Sequence, residues 1–366
     1  MRVALVHDWL VTMGGAERVL EEIAHLFPEA PIYTGVVDRM RLSPFLQSRT
    51  IIPTFVQALP FAHRWYNRYL PLLMYGMEQF DLSDYDLVVS SSAAVAKGVV
   101  TRAETRHVSY VHTPMRYAWD LYHEYRDREA RGISKKLMGP VFHYMRLWDR
   151  LSADRVDRLI ANSTAVQRRI EKHYRRSSEV IYPPVDVDRF SVSTEPGRYY
   201  LVLSRLVSYK RFDLAVEAAN RLRVPLVVAG DGPERKALEK MAGPTVRFAG
   251  RVSDAERSRL MGESTALLFP GEEDFGITPV EMQAAGRPVI AFGRGGVLDT
   301  VVHGETGWLF NHQTVDDVVE AIRAQEAVRW DGQRIRQNAE RFRPEVFRER
   351  FRAAALETLA DPSQLG

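Results

Sequence analysis

The feature that most constrains this chain is a repeated alternation of short, largely apolar runs with longer tracts of helical spacing. The runs Val3–His7, Ile32–Thr34, Leu87–Ser90, Arg106–Val111 and Arg158–Ala161 predict strands. Runs of this kind suit a parallel sheet, whose strands are covered on both faces. Tracts such as Ala16–Leu26 and Thr164–His173 predict the helices between them. Pro183-Pro184 and the polar stretch Ser191–Gly197 interrupt the series. A second series then begins, at Tyr200–Ser204, Leu226–Ala229, Val246–Ala249, Ala266–Phe269, Val289–Phe292 and Trp308–Phe310. The pattern therefore predicts two α/β halves with a boundary near 180–198. From Pro344 onward, Phe347, Phe351, Ala355 and Leu359 stand four apart, the spacing of one helix face.

A chain of 366 residues has room for about two such domains. Hydrophobic residues make up 45% and charged residues 27%, the mix of a soluble globular protein. No stretch approaches the roughly 18 apolar residues of a membrane span. Asp8 ends the first apolar run too early for a signal peptide, so a cytoplasmic location is the expectation. Cysteine is absent, which excludes disulfides, thiolate metal sites and a cysteine nucleophile. The net charge is only +3, yet residues 97–176 carry 18 Lys/Arg against 9 Asp/Glu. Such a basic stretch is either a solvated surface or a face for anionic substrates or an anionic membrane. No nucleic-acid motif accompanies it, so nucleic acid is not expected as a partner.

Ligands of open α/β sheets bind beyond the carboxyl ends of the strands, and three motifs fall there. Gly14-Gly15-Ala16-Glu17 lies between the first strand and the first helix. Glycines there let a phosphate approach the backbone and the helix N-terminus, although two glycines before a helix are as often only a turn. The dinucleotide fingerprint Gly-x-Gly-x-x-Gly is absent. Arg205 and Lys210 follow the first strand of the second half. Two fixed cations suit a diphosphate, against the plainer reading of two solvated surface residues. Glu273-Asp274-Phe275-Gly276-Ile277-Thr278-Pro279-Val280-Glu281 follows the Leu267–Pro270 run. Thr278 as N-cap with Pro279 at the first helical position predicts a helix beginning there, whose amides can meet phosphate oxygens. Glu281 could accept ribose hydroxyls and Glu273 sugar hydroxyls; surface acids near a cap are the plain alternative.

The Glu-x(7)-Glu segment, the Arg205/Lys210 pair and the early Gly-Gly resemble glycosyltransferase family 4, of the two-domain GT-B fold. His112-Thr113-Pro114, Asn162-Ser163, Tyr182–Asp186, Gly230–Glu234, Phe248–Val252 and Gly286–Ile290 fit the same order. The resemblance spans essentially the whole chain. The Gly-Gly-Ala-Glu-Arg start and the His-Thr-Pro-Met-Arg-Tyr-Ala-Trp segment look like bacterial mannosyltransferases that build surface polysaccharides.

The resemblance implies two Rossmann-like domains facing each other across a cleft. Residues 1–182 would form the acceptor-side domain, completed by a C-terminal helix over about 344–366, and 183–343 the donor-binding domain. Gly14 and Gly15 would lie against the donor phosphates, and Arg205 and Lys210 would clamp the diphosphate. Glu281 would bind the ribose, Glu273 the transferred sugar, and Phe275, Gly276, Ile277 and Thr278 would complete the phosphate and sugar contacts. Gly250, Arg251 and Val252 would hold the base, largely through backbone groups. His112 would sit near the sugar 6-hydroxyl, as a binding and charge-stabilising group. The donor would be GDP-mannose or another nucleotide diphosphate sugar, with no cofactor and no metal. Asp186-Val187-Asp188 matches the Asp-x-Asp pattern of metal-dependent transferases, but it falls where the family has only a connecting segment.

The implied reaction is retaining. The leaving phosphate oxygen would take the acceptor proton on the same face; double displacement through Glu273 is the competitor. The acceptor would be a glycan or lipid-linked glycan. Phe61, Trp65, Tyr66, Tyr69, Leu72, Leu73, Met74 and Tyr75 are either core or an exposed patch touching it. Arg131, Lys135, Lys136, Arg146 and Arg150 would suit a lipid diphosphate at the inner face of the plasma membrane. Rival readings are a UDP-sugar transferase, a nicotinamide dehydrogenase, an epimerase or phosphorylase on the same frame, and a non-catalytic scaffold of a polysaccharide-assembly complex.

Overall fold

A computed structural model describes residues 1–123, 133–193, 195 and 197–360, with 133–137 described by backbone alone. The chain divides into two compact units, Met1–Tyr182 with Phe347 onward, and Pro183–Val346. In both sheets the strand pairings are all parallel among the described residues.

The first sheet holds β1 (Val3–His7), β2 (Ile32–Thr34), β3 (Ile51–Pro53), β4 (Leu87–Ser92), β5 (Arg106–Val111), β6 (Arg158–Ala161) and β7 (Glu179–Val180). Its order is β3-β2-β1-β4-β5-β6-β7, so the chain runs outward from β1 and returns on the other side at β4. Successive side chains of β1 serve opposite faces, as the twofold strand period requires. Val3 and Leu5 pack with Val19, Leu20 and Ile23 of the helix Gly15–Leu26. Ala4 and Val6 pack with Leu73, Met77 and Trp148 on the other face. The C-terminal helix Pro344–Ala360 lays Phe347, Phe351, Ala354 and Ala355 into the first of these faces. Burying each phenylalanine is worth about 1.5–3 kcal/mol.

The second sheet holds β8 (Tyr200–Leu203), β9 (Leu226–Ala229), β10 (Val246–Gly250), β11 (Ala266–Phe269), β12 (Val289–Phe292) and β13 (Gly307–Phe310). Its order, β10-β9-β8-β11-β12-β13, reverses between β8 and β11. The strands β3 and β7 escaped the sequence reading. They are short edge strands, and Pro53 in β3 cannot donate to a ladder, which confines it to an edge.

Asp8 ties the reversal of the first sheet together. It follows β1 and is 3% exposed. Its Oδ2 accepts from the amides of Ala93 and Ala94 at 2.6 and 3.0 Å, and its Oδ1 from Val95 and Ala96, both at 2.7 Å. Those four donors form the loop after β4, so one carboxylate closes the turn on the far side of the reversal. Close by, Asp149 is fully buried and pairs with Lys97, while Trp119 Nε1 and Tyr174 Oη donate to its Oδ2 at 2.8 and 3.0 Å. Asp8→Ala is expected to destabilise this unit by more than about 3 kcal/mol, because it strands several buried donors at once. Urea unfolding followed by far-UV dichroism would measure the shift in midpoint.

Candidate active site

In the second unit the residues after β8 and after β11 meet across the reversal. Lys210 closes a short 3-10 turn, Ser208–Lys210, and is 9% exposed. Its Nζ donates to Ser204 Oγ at 2.5 Å and pairs with the Glu273 carboxylate. A lysine so nearly enclosed needs an anionic partner, and Glu273 is that partner. Arg205, one residue beyond Ser204, is exposed, with no ion pair among the described residues. Sequence reading had treated Arg205 and Lys210 as equivalent clamps. The structure separates them into one solvent-facing guanidinium and one pinned ammonium.

Glycines hold these loops close. A Cβ at Gly271 would lie 2.7 Å from Lys210 Cα, and one at Gly296 would lie 2.3 Å from Asp274 O. Gly296 donates its amide to Glu273 O at 2.9 Å. Gly295, at φ +76°, takes the left-handed backbone that a side chain would strain. On the other flank, Leu206 N–H donates to Asp231 O at 3.0 Å, and Glu234 N–H to Leu206 O at 3.1 Å. The Arg205–Lys210 loop is thus braced by the loop after β9, and the Glu273 loop by the one after β12.

The helix after β11 spans Ile277–Ala284, with Gly276 as N-cap at φ +87°. This corrects the sequence expectation of Thr278 as N-cap with Pro279 first. Glycine's left-handed conformation turns the chain two residues earlier, and Pro279 falls within the first turn, where its missing N–H is not needed. The amides of Ile277 and Thr278 open this helix, next to Glu273. Phe275 is buried against Phe342, their rings 5.5 Å apart, so its side chain serves packing and only its backbone faces the loop. Glu281 is 1% exposed, and its Oε2 lies 2.5 Å from Nη2 of Arg257 on the helix Asp254–Glu263. Sequence reading found Glu281 but not Arg257, since nothing in the chain links residues twenty-four positions apart. Gly250 ends β10 at φ +71°; the Arg251 side chain is 87% exposed, 3.6 Å from Asp231, and Val252 is half-buried beside it. In the Asp-x-Asp segment, Asp188 pairs with Arg336 and Arg343 at 3.3 and 2.7 Å, and Asp186 lies 3.8 Å from Arg189. Those carboxylates stitch the unit together.

In the first unit, Gly14 caps the helix that Gly15 opens, and its amide donates to Glu17 Oε2 at 2.9 Å. Glu17 is buried, its Oε1 lying 3.8 Å from Nε2 of buried His7. The Gly-Gly motif is therefore a helix start closed by its own glutamate, with the remaining first-turn amides left for another acceptor. His112 follows β5. Its Nε2 shares a hydrogen bond with Ser91 Oγ at 2.8 Å, and its carbonyl accepts from Asn162 Nδ2 at 2.9 Å. Desolvation, with His7 nearby, lowers its pKa to about 3. A neutral imidazole supplies a hydrogen bond but not a positive charge, which narrows the role expected of it.

The first-unit surface is mixed. Leu73 and Met74 are core, whereas Phe61, Trp65, Leu72 and Tyr75 are exposed. Arg150 pairs with Asp154, and Arg146 donates to Ala118 O at 3.0 Å, so part of the basic excess is spent internally. Arg131 lies outside the described residues, as do the side chains of Lys135 and Lys136. No helix among the described residues is long and apolar enough to cross a membrane.

Residues 186–342 match the family model described as Glycosyl transferases group 1, and residues 13–189 the one described as Glycosyltransferase Family 4. Together they run through nearly the whole chain. The chain belongs to glycosyltransferase family 4. Among curated relatives, a glycogen synthase of Pseudomonas syringae is 30% identical over 145 residues, 36% of this chain and 29% of that protein. The chain thus covers less than a third of the glycogen synthases it matches. A GDP-mannose-dependent alpha-(1-6)-phosphatidylinositol monomannoside mannosyltransferase of Mycobacterium tuberculosis is 32% identical over 176 residues, 40% of this chain and 46% of that one. The crystal structure of Anabaena HepE in complex with UDP and glucose superposes with a TM-score of 0.68 at 19% identity, covering 97% of this chain and 99% of that one. This family member thus has the GT-B fold of two Rossmann-like domains.

A pH dependence follows from two desolvated imidazoles of the first unit, His107 and the half-buried His112. His107 is fully buried, hydrogen-bonded to Ser90 Oγ at 2.8 Å, and desolvation lowers its pKa to about 3, as for His112. The unfolded chain takes up these protons near pH 6.5, while the folded chain does not until about pH 3. The stability these histidines contribute is therefore present above pH 6.5 and is lost progressively as pH falls toward 3. His107→Asn is expected to flatten the slope of urea-unfolding free energy against pH by about 1.4 kcal/mol per pH unit in that window.

Proposed function

We propose that this chain is a retaining, metal-independent glycosyltransferase that moves a hexosyl group from a nucleotide diphosphate sugar to a glycan or lipid-linked glycan. The observation that carries this reading is the pairing of Lys210 with Glu273 at the reversal of the second sheet, with Arg205 exposed on the same loop as Lys210 and the helix Ile277–Ala284 starting shortly after Glu273. Anions are favoured at such a place, where free amides and fixed cations converge. As the anomeric C–O bond breaks, negative charge builds on the leaving diphosphate. Arg205, Lys210 and the amides of Ile277 and Thr278 would take up that charge. The acceptor oxygen bonds to the anomeric carbon on the same face, and its proton passes to the leaving phosphate oxygen. Glu273, held by Lys210, would orient sugar hydroxyls rather than attack. Gly250, Arg251 and Val252 would receive the base. His112 would bind the sugar as a neutral imidazole.

GDP-mannose is the donor we favour, on the likeness to the mycobacterial mannosyltransferase. A UDP-sugar is the second reading, because HepE carries UDP and glucose. Work at the inner face of the plasma membrane is supported by one face of the helix Ile133–Asp154, which exposes Val141, Tyr144, Leu147 and Leu151.

The test is thermal stabilisation by GDP, UDP, ADP and their sugars in EDTA, followed by NMR of the product linkage. A rise in midpoint with GDP or GDP-mannose alone, and a linkage of unchanged anomeric configuration, is the expected result. No rise with any nucleotide, or an inverted linkage, would refute the reading. Lys210→Ala is expected to lower kcat/KM about 100- to 1000-fold while the protein stays folded. Leu147→Glu with Leu151→Glu should abolish flotation with anionic vesicles and leave transfer to a soluble acceptor intact.

A further inference from the structure

Glu281 is nearly enclosed, and a carboxylate in that position is costly unless a partner offsets its charge. Arg257 is the partner, with Nη2 at 2.5 Å from Oε2. Its own side chain remains partly exposed, at 21%. Its helix begins just after Gly250-Arg251-Val252: Ser253 caps it by accepting from Glu256 N–H at 3.2 Å, and Arg257 N–H donates to Ser253 O at 2.8 Å. One turn of backbone, Ser253 to Arg257, thus joins the segment after β10 to the partner of the Glu281 carboxylate.

We infer that Arg257 is a positioning residue for nucleoside recognition: it fixes the Glu281 carboxylate so that ribose hydroxyls are read in register with the base. This rests on the proposed donor site and deepens it. The guanidinium brings its charge on a stiff planar head, which an ammonium on a flexible stem does not. A carboxylate held by a rigid cation keeps one orientation, the requirement for meeting two vicinal hydroxyls. The base-contacting segment and the ribose-contacting carboxylate then move as one piece.

The experiment compares binding of a nucleoside diphosphate with its 2′,3′-dideoxy form by calorimetry, using GDP or UDP, whichever stabilises the wild type. Arg257→Met is expected to weaken binding of the ribose form about tenfold or more, while the dideoxy form is unaffected. The preference for ribose should collapse as it does in Glu281→Gln, and the double variant should lose nothing further. Arg257→Lys, which keeps the charge and the fold, should retain only part of the preference. An undiminished preference in the Met and Lys variants would overturn the inference, as would equal weakening of both ligands, the mark of a merely structural pair. Failure of the wild type to bind any nucleoside diphosphate would overturn the donor-site reading together with this one.

Discussion

In both sheets the strand order reverses at the centre, and at each reversal a carboxylate joins loops that are distant in sequence. Asp8 reaches from the end of β1 to four amides after β4. Glu273 reaches from the end of β11 to the lysine after β8. At such a reversal the two neighbouring crossovers leave in opposite directions, so the strand ends stand open between them. That opening is where a ligand can enter, and it is also where loops would drift without a tie. In the first unit the tie is saturated, since all four donors are met by one buried side chain. In the second it is a nearly enclosed cation against a partly exposed anion, with an exposed arginine on the same loop.

This difference bears on what each unit can do. Asp8 uses up the amides of the loop after β4, so that loop is closed to an outside anion. The charges around Lys210 remain within reach of one, and the start of the helix Ile277–Ala284 adds amides to them. Close backbone packing at Gly271, Gly295 and Gly296 keeps these groups from relaxing apart. Preorganisation of this kind is what electrostatic stabilisation of a leaving diphosphate requires, because little reorganisation remains when charge develops.

Much of the framework was legible in the chain. Most of the central strands were visible as apolar runs, because strands covered on both faces have no polar side to blur the signal. The C-terminal helix was visible from Phe347, Phe351, Ala355 and Leu359, and the packing of Phe347 and Phe351 against Tyr110 of β5 explains the spacing. The edge strands β3 and β7 were not visible, since two or three residues at a sheet border carry little pattern. The helix start after β11 was misplaced by two residues, because a Thr-Pro pair is a good start signal and the left-handed Gly276 is a better one. The exposed aromatics near Trp65 and the buried Leu73 and Met74 look alike in sequence, and burial alone sorted them.

What the sequence determined by itself was the α/β class, the two series of strands and the order of the motifs, because periodicity and turn chemistry act over a few neighbouring residues. It also placed Arg205, Lys210 and Glu273 after strand ends, where a sheet of this kind binds ligands, and Glu281 in the helix that follows. Only tertiary structure decided which of those charges are paired. Lys210 with Glu273, Arg257 with Glu281 and Asp188 with Arg343 are each brought together by strand order or helix packing. No local rule encodes such pairs, since the energy of a charge depends on what surrounds it in three dimensions. The same reason explains His112, whose neutrality comes from burial beside His7 and not from its neighbours in the chain.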